Sequence, residues 1–199
     1  MFSGIIDHVG SILEIKKINS RDTRLIVSTK FKKKDINLGS SICCNGACLT
    51  VVSIDKTRTS LNLSFDVSKE TLDCTNFSQL KVNSLINLEK SLRLGDEISG
   101  HFVFGHIDEV AKLTSLKKNK GSHIINISIP RSLKKLIAKK GSISINGVSL
   151  TVNKVSVRQF SVNIVPYTWE RTNFPSLKVG SRINVEVDML ARYVTQNLK

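Results

Sequence analysis

The sequence predicts an all-β protein: two tandem copies of a small antiparallel barrel or sandwich, followed by one terminal helix. Three observations carry that expectation. Blocks of sequence recur at a near-constant offset, apolar residues alternate with polar ones inside each copy, and the last segment has a helical spacing with no counterpart in either copy.

The repeat comes first because it fixes the rest. Asn45-Gly46-Ala47-Cys48-Leu49-Thr50-Val51 returns as Asn146-Gly147-Val148-Ser149-Leu150-Thr151-Val152, an offset of 101 residues from 45 to 146. The same offset carries Gly4-Ile5-Ile6-Asp7-His8-Val9 onto Gly105-His106-Ile107-Asp108-Glu109-Val110, and Lys16-Lys17 onto Lys117-Lys118. Further along, Thr75-Asn76-Phe77 returns as Thr172-Asn173-Phe174 and Leu80-Lys81-Val82 as Leu177-Lys178-Val179, now 97 residues apart. A four-residue loop deletion in the second copy accounts for the change. The expected units are residues 1–97, residues 98–187 and a terminal helix over residues 188–199.

Within the copies, Leu61, Leu63, Phe65 and Val67 alternate with Asn62, Ser64 and Asp66, and Ile125, Ile127 and Ile129 with Asn126 and Ser128. Ile183, Val185 and Val187 follow the same period of two, which places one face of each segment on a core. Asn45-Gly46 and Asn146-Gly147 are the dipeptides of tight hairpin turns, so structure alone explains them. Pro130, Ser132, Leu133, Leu136 and Ile137, closed by Gly141, predict a short helix. From Asp188 to Leu198, Met189, Tyr193, Gln196 and Asn197 fall at helical spacing beside Leu190 and Val194. A lone helix needs an apolar partner, so this one is expected to dock onto another subunit or across the two units.

Composition narrows the function classes. With 199 residues, 40% apolar and 23% charged, the chain can bury a core without staples. Lys and Arg number 30 against 16 Asp and Glu. The clusters Lys32-Lys33-Lys34, Lys117-Lys118 with Lys120, and Lys134-Lys135 with Lys139-Lys140 read as solvated faces. Aromatic residues, at 6%, are too few to interleave with them as stacking platforms, so no nucleic-acid partner is expected. Cys43, Cys44, Cys48 and Cys74 include no Cys-x-x-Cys pair and have no nearby His to complete a zinc site. With no secretory pattern at the start and no span-length apolar run, the expectation is a cytoplasmic protein with reduced thiols and no membrane or metal. No Ser-His-Asp arrangement, phosphate-cradling Gly loop or two-carboxylate motif supports a hydrolase or nucleotidyl transferase.

A twofold repeat of a barrel-sized module suggests two pockets of one shape, and the copies differ in chemistry at a few positions. Ile5 becomes His106, Cys48 becomes Ser149, Ser3 becomes Phe104 and Glu70 becomes Tyr167. Cys48 and Ser149 share a strand face with Thr50 and Thr151, where a small core residue is the commoner reading than a nucleophile. His106 follows Gly105, whose missing side chain lets a ligand approach. His101 is five positions earlier, on the opposite face of a continuous strand, so the two histidines are not expected to pair.

These residues resemble a known family. Met1-Phe2-Ser3-Gly4-Ile5, Asn45-Gly46-Ala47-Cys48-Leu49-Thr50-Val51, Lys69-Glu70-Thr71-Leu72, Ser99-Gly100-His101-Phe102, Gly105-His106-Ile107, Asn146 to Val152 and Pro166-Tyr167-Thr168-Trp169-Glu170-Arg171-Thr172 are similar, in order and spacing, to the motifs of riboflavin synthase alpha chains. The resemblance implies two six-stranded antiparallel barrels, short helices and a C-terminal helix through which three chains associate. It also implies dismutation of two molecules of 6,7-dimethyl-8-ribityllumazine, by four-carbon transfer, into riboflavin and 5-amino-6-ribitylaminouracil without a cofactor. The reacting pair would lie between the first barrel of one subunit and the second barrel of a neighbour.

By the same resemblance, Cys48 and Ser149 lie near the two rings, His106 and Thr151 assist proton transfer, and Phe2 covers the site. Gly4, Ile5 and Ile6, Cys48, Leu49 and Thr50, the run Asp66, Val67, Ser68, Lys69, Glu70 and Thr71, and Gly105, His106 and Ile107 would bind substrate. So would Ser149, Leu150 and Thr151, the run Val162, Asn163, Ile164, Val165, Pro166 and Tyr167, and Lys140, which would reach a ribityl hydroxyl. Tyr167 stands where the family commonly has Glu, while Glu70 keeps the carboxylate in the first copy. The resemblance is compatible with association with lumazine synthase. The alternative is a non-catalytic lumazine- or flavin-binding protein of the same fold.

Overall fold

The computed structural model describes residues 1–197. Twelve strands are present among them: β1 (His8–Lys17), β2 (Thr23–Thr29), β3 (Ser41–Cys44), β4 (Ala47–Lys56), β5 (Leu61–Val67), β6 (Leu85–Lys90), β7 (Glu109–Asn119), β8 (Ser122–Ser128), β9 (Ser142–Ile145), β10 (Val148–Val155), β11 (Gln159–Ile164) and β12 (Arg182–Val187). They close into two six-stranded antiparallel barrels, in the orders β1-β2-β5-β4-β3-β6 and β7-β8-β11-β10-β9-β12. The two orders are the same topology repeated.

Closure needs sharply bent strands, and the bends are repeated as well. Register shifts fall between Ile12 and Glu14 and between Val51 and Ser53 in the first barrel, and between Leu113 and Ser115 and between Val152 and Lys154 in the second. Each extra residue increases local twist and turns the strand around the barrel. Inward residues then fill the interiors. Leu25, Val27, Leu63, Phe65, Ile86 and Leu88 fill the first, and Leu113, Ile125, Ile127, Phe160, Val162 and Ile183 the second, all essentially without exposure.

Three helices accompany the strands: α1 (Lys69–Cys74), α2 (Pro166–Glu170) and α3 (Met189–Asn197). The Ser68 hydroxyl caps α1 by accepting from the Thr71 amide at 3.2 Å, and Pro166 opens α2, where a missing N–H costs nothing. The helix expected between Pro130 and Gly141 does not form. Only Arg131–Leu133 makes a 3-10 turn, and the rest is a chain of three-residue turns, Leu136 N–H to Leu133 O and Gly141 N–H to Ala138 O. As turns the segment still buries Leu133 and Ile137 against the second core. The terminal helix expected through Leu198 runs to Asn197; Leu198 lies outside the described residues.

The barrels are joined by a polar seam of six buried asparagines in three repeat-related pairs. Asn45 Oδ1 accepts from the Asn87 amide at 2.8 Å, and Asn146 Oδ1 from the Asn184 amide at 2.9 Å. Asn87 Nδ2 crosses to Asn146 O at 2.9 Å while Asn184 Nδ2 crosses to Asn45 O at 2.8 Å. The Asn173 amide donates to Asn87 Oδ1 at 2.6 Å, and the Asn76 amide to Asn184 Oδ1 at 2.7 Å. Backbone groups that a buried interface would otherwise leave unpaired are thus satisfied reciprocally. The hairpin asparagines therefore do more than form turns, although their φ of 46° and 47°, followed by Gly46 at 87° and Gly147 at 83°, are those of tight type I′ hairpins.

Candidate functional site

Each barrel presents its candidate residues on the outer face of its fourth strand. In β4, Ala47, Leu49 and Val51 point into the core, leaving Cys48 half-buried and Thr50 exposed on the other side. In β10, Ser149 is half-buried and Thr151 exposed. These outer faces are not walled by their own barrels. The segment before β7 crosses to the first barrel, where Gly105 O accepts from the Cys48 amide at 3.0 Å. The segment before β1 crosses to the second barrel, where Gly4 O accepts from the Ser149 amide at 2.8 Å. Ile107 accordingly packs against the first core and Ile6 against the second.

Glycine is required at both crossings. Gly105 has φ +79° and Gly4 φ +77°, and a Cβ at either would lie 2.5 Å from Cys48 Cβ or 2.6 Å from Ser149 Cβ. A buried carboxylate clamps each strap to its own barrel. Glu89 accepts from the Ser3 amide at 2.7 Å, the Ser3 hydroxyl at 2.8 Å and the Gly4 amide at 3.0 Å. Glu186 accepts from the amides of Phe104, Gly105 and His106 at 2.7, 3.0 and 3.1 Å. Burial is the larger influence on both carboxyls, ahead of the N–H donors, and raises Glu89 to about 6 and Glu186 to about 7.

The end of the fifth strand borders each face. Val51 pairs with Phe65 and Val152 with Val162, which brings Asp66 and Val67 beside Leu49 and Thr50, and Asn163 and Ile164 beside Leu150 and Thr151. Val67, Val162 and Ile164 have no exposed surface, so at these positions only backbone faces outward. Asp66 is held in a bidentate pair by Arg24, at 2.7 and 2.9 Å, whose hydrogen bond keeps the Asp66 carboxyl below its ordinary range. Ser68 is occupied as the cap of α1 and Lys69 pairs with Asp73, while Glu70 is exposed. In the second barrel Val165, Pro166 and Tyr167 are exposed, and the Arg171 guanidinium sits 4.5 Å from the Tyr167 ring. Lys140 has φ +71° where the first copy has Gly39 at φ +81°, and its amide donates to Val152 O at 2.7 Å, beside Thr151.

Two half-sites of one backbone shape result, with different chemistry. The first carries Cys48 and Thr50 beside the strap that bears the exposed His106; the second carries Ser149 and Thr151 beside the strap that bears the exposed Ile5. Phe2 is fully buried, bridged to Val103 through both backbone groups, and packs with Cys43 and Val103 against Cys48. The strand expected to run through His101 and His106 does not form; among residues 101–106 only Val103 makes a bridge. His101 Nδ1 shares a 2.7 Å hydrogen bond with Ser149 Oγ, and burial lowers its pKa below the ordinary histidine value. Gly100 makes room for this contact, since a Cβ there would lie 2.0 Å from Ser3 O and 2.8 Å from Ser149 Cβ.

Glu89 and Glu186 were not singled out by the sequence, and His101 was read there only as a histidine that does not pair with His106. The glutamates carried a readable signal, because Asn87-Leu88-Glu89 and Asn184-Val185-Glu186 align at the 97-residue offset and place an acid among core residues. His101 has no counterpart in the first copy, so the repeat could not mark it. Cavities of about 530 and 540 Å³ are also present: one is lined by Ser3, Ile5, Asp7, Glu89 and Arg93 and so borders the second half-site at Ile5, and the other runs along the asparagine seam. Cys48 and Ser149 line neither, and both half-sites are open faces.

Known proteins share this arrangement. Residues 3–91 and 104–188 each match the lumazine binding domain family. The chain is 37% identical over 98% of its length to a riboflavin synthase of Brucella abortus, covering 97% of that protein, and 38% identical over its full length to one of Photobacterium phosphoreum, covering 89%. A crystal structure of LumP complexed with 6,7-dimethyl-8-(1'-D-ribityl) lumazine superposes with a TM-score of 0.82 at 28% identity, over 94% of this chain and 99% of that one. With both repeats matched and the relatives aligned end to end, the chain belongs to the family of duplicated lumazine-binding barrels that includes the riboflavin synthases.

Proposed function

We propose that the protein is a riboflavin synthase: it binds two molecules of 6,7-dimethyl-8-ribityllumazine and transfers a four-carbon unit from one to the other, giving riboflavin and 5-amino-6-ribitylaminouracil. The observation that carries this reading is the pair of half-sites, alike in backbone and unlike at Cys48/Ser149 and His106/Ile5. A reaction between two identical molecules needs two pockets of one shape and two chemistries, because one molecule must lose a proton and the other must accept a nucleophile. Holding the two rings face to face turns their encounter into a step within one complex, which supplies much of the rate. His106, exposed at the Cys48 face, is placed to move a proton, with Thr151 serving the other face. Lys140 and the backbone at Asp66–Thr71 and Val162–Tyr167 hold the ribityl chains.

The half-sites are open, so a neighbour must enclose them. We assign that role to a homotrimer built through α3, which leaves Leu190, Tyr193 and Val194 on one exposed stripe at 72%, 61% and 58% exposure. The likeness to LumP, solved with the lumazine bound, favours one competing reading, a binding protein without turnover. Incubating the purified protein with 6,7-dimethyl-8-ribityllumazine alone and following products by absorbance and chromatography separates the two. Riboflavin with an equimolar pyrimidine product is the expected result. Tight binding without product would move the protein to the binding class.

A further inference from the structure

We propose that Cys43 and Cys48 are a thiol pair that closes to a reversible disulfide, making the Cys48 face a target for peroxides. The two residues stand directly opposite each other on β3 and β4. Their amides turn away from one another: Cys48 N–H bonds to Gly105 O, and since Asn45 N–H points at Asn87 O on β6, the amide of Cys43, two residues earlier, faces β6 as well. This is the non-hydrogen-bonded kind of antiparallel pair, in which Cα atoms lie about 4.5 Å apart. Disulfides span Cα separations of about 4.4 to 6.8 Å, so the pair lies within bridging range, and closure requires the Cys43 sulfur to leave its hydrogen bond with the Gly46 backbone.

Both side chains also share one environment, the small cluster of Phe2, Cys43 and Val103 against which Cys48 packs. Their exposures differ in a useful way, with Cys48 half-buried and Cys43 at 1%. Burial, with Glu89, Cys44 and Glu186 close by, pushes the Cys43 thiol well above its ordinary range, so it keeps its proton, and only the half-buried Cys48 is open to an oxidant in solvent. Cys48 reacts first. Its thiolate attacks one peroxide oxygen, displaces hydroxide and becomes a sulfenic acid. The Cys43 sulfur then attacks the Cys48 sulfur, the S–S bond forms, and the sulfenic oxygen leaves with the Cys43 proton as water. Two thiols are oxidised, one peroxide is reduced to two waters, and a thiol reductant reverses the change.

The covalent step stands on the strand register alone; its effect on turnover rests on the proposed function. A hydroxylamine cut at Asn45-Gly46 and Asn146-Gly147 tests the step, because it separates Cys43 and Cys44 from Cys48 and Cys74. Folded Cys74→Ser protein is treated with hydrogen peroxide, its free thiols are alkylated, and it is cleaved under denaturing, non-reducing conditions. The fragments 1–45 and 46–146 are expected to stay joined until reductant is added. The link is expected to persist in Cys44→Ala and vanish in Cys43→Ser, with tandem mass spectrometry of the linked peptide assigning the sulfurs directly. Fragments that separate, with Cys48 carrying only oxygen, or a link that survives Cys43→Ser, would overturn the proposal. Peroxide is also expected to abolish riboflavin formation, and reductant to restore it. Linked fragments from a protein with no turnover when reduced would sink the functional reading and leave the disulfide standing.

Discussion

Gly105 and Gly39 both hold left-handed backbone, with φ of +79° and +81°, but they face different surroundings. A side chain at Gly39 meets nothing within 4 Å, whereas at Gly105 it meets Cys48 Cβ and backbone. Gly39→Ala is therefore expected to cost only the left-handed penalty, about 1–2 kcal/mol. Gly105→Ala is expected to cost more, because the strap must lift off β4; urea denaturation of the two variants checks the order. Cys48→Ala leaves the strap bond intact, since that bond uses the backbone. It is expected to keep lumazine binding and lose most turnover, and full turnover in that variant would remove Cys48 from the chemistry. Cys48 and Ser149 were legible in the sequence because the repeat aligns them. Their partners were not, because Gly105, Gly4 and His101 reach them across the fold, and no local periodicity reports a contact between one copy's leading segment and the other copy's strand.

At the scale of elements, the strands were the legible part. Alternation over Leu61–Val67 places one face inward, and the structure pairs that run as β5, between β2 and β4. The turns after Pro130 were misread because leucines at helical spacing also suit a turn chain that caps a barrel. In α3, Arg192 ties one face down through a 2.8 Å pair with Asp108 and a 3.3 Å bond to His106 O, while Leu190, Tyr193 and Val194 face away. Removal of residues 189–199 is expected to convert the assembly to monomers by light scattering, and a Leu190→Glu, Tyr193→Asp double variant to do the same with the helix retained. An unchanged mass in both would place the assembly on another surface.

For the whole molecule, the paired strap clamps make stability depend on pH. Glu89 and Glu186 hold their protons up to about 6 and about 7, against an ordinary value of 4.5. The folded chain therefore binds more protons than the unfolded chain between those values. The contribution of these groups to stability is fullest below pH 4.5 and is lost as pH rises through 6 and 7. Urea midpoints at about pH 5 and about pH 8 should show a fall in the native protein and a shallower one in Glu186→Gln; equal slopes would assign the protonation elsewhere. The barrel pair itself was legible from the repeat, but the six-asparagine seam was not, because its members read singly as turn and loop residues.

The exchange of straps also sets an order of events during synthesis. The first barrel leaves the ribosome before Gly105 exists to lie over Cys48, and Phe2 and Gly4 must wait for Val103 and Ser149. Until the second barrel is complete the nascent chain thus carries a bare β4 face and a leading strap held only from its own barrel, through Glu89.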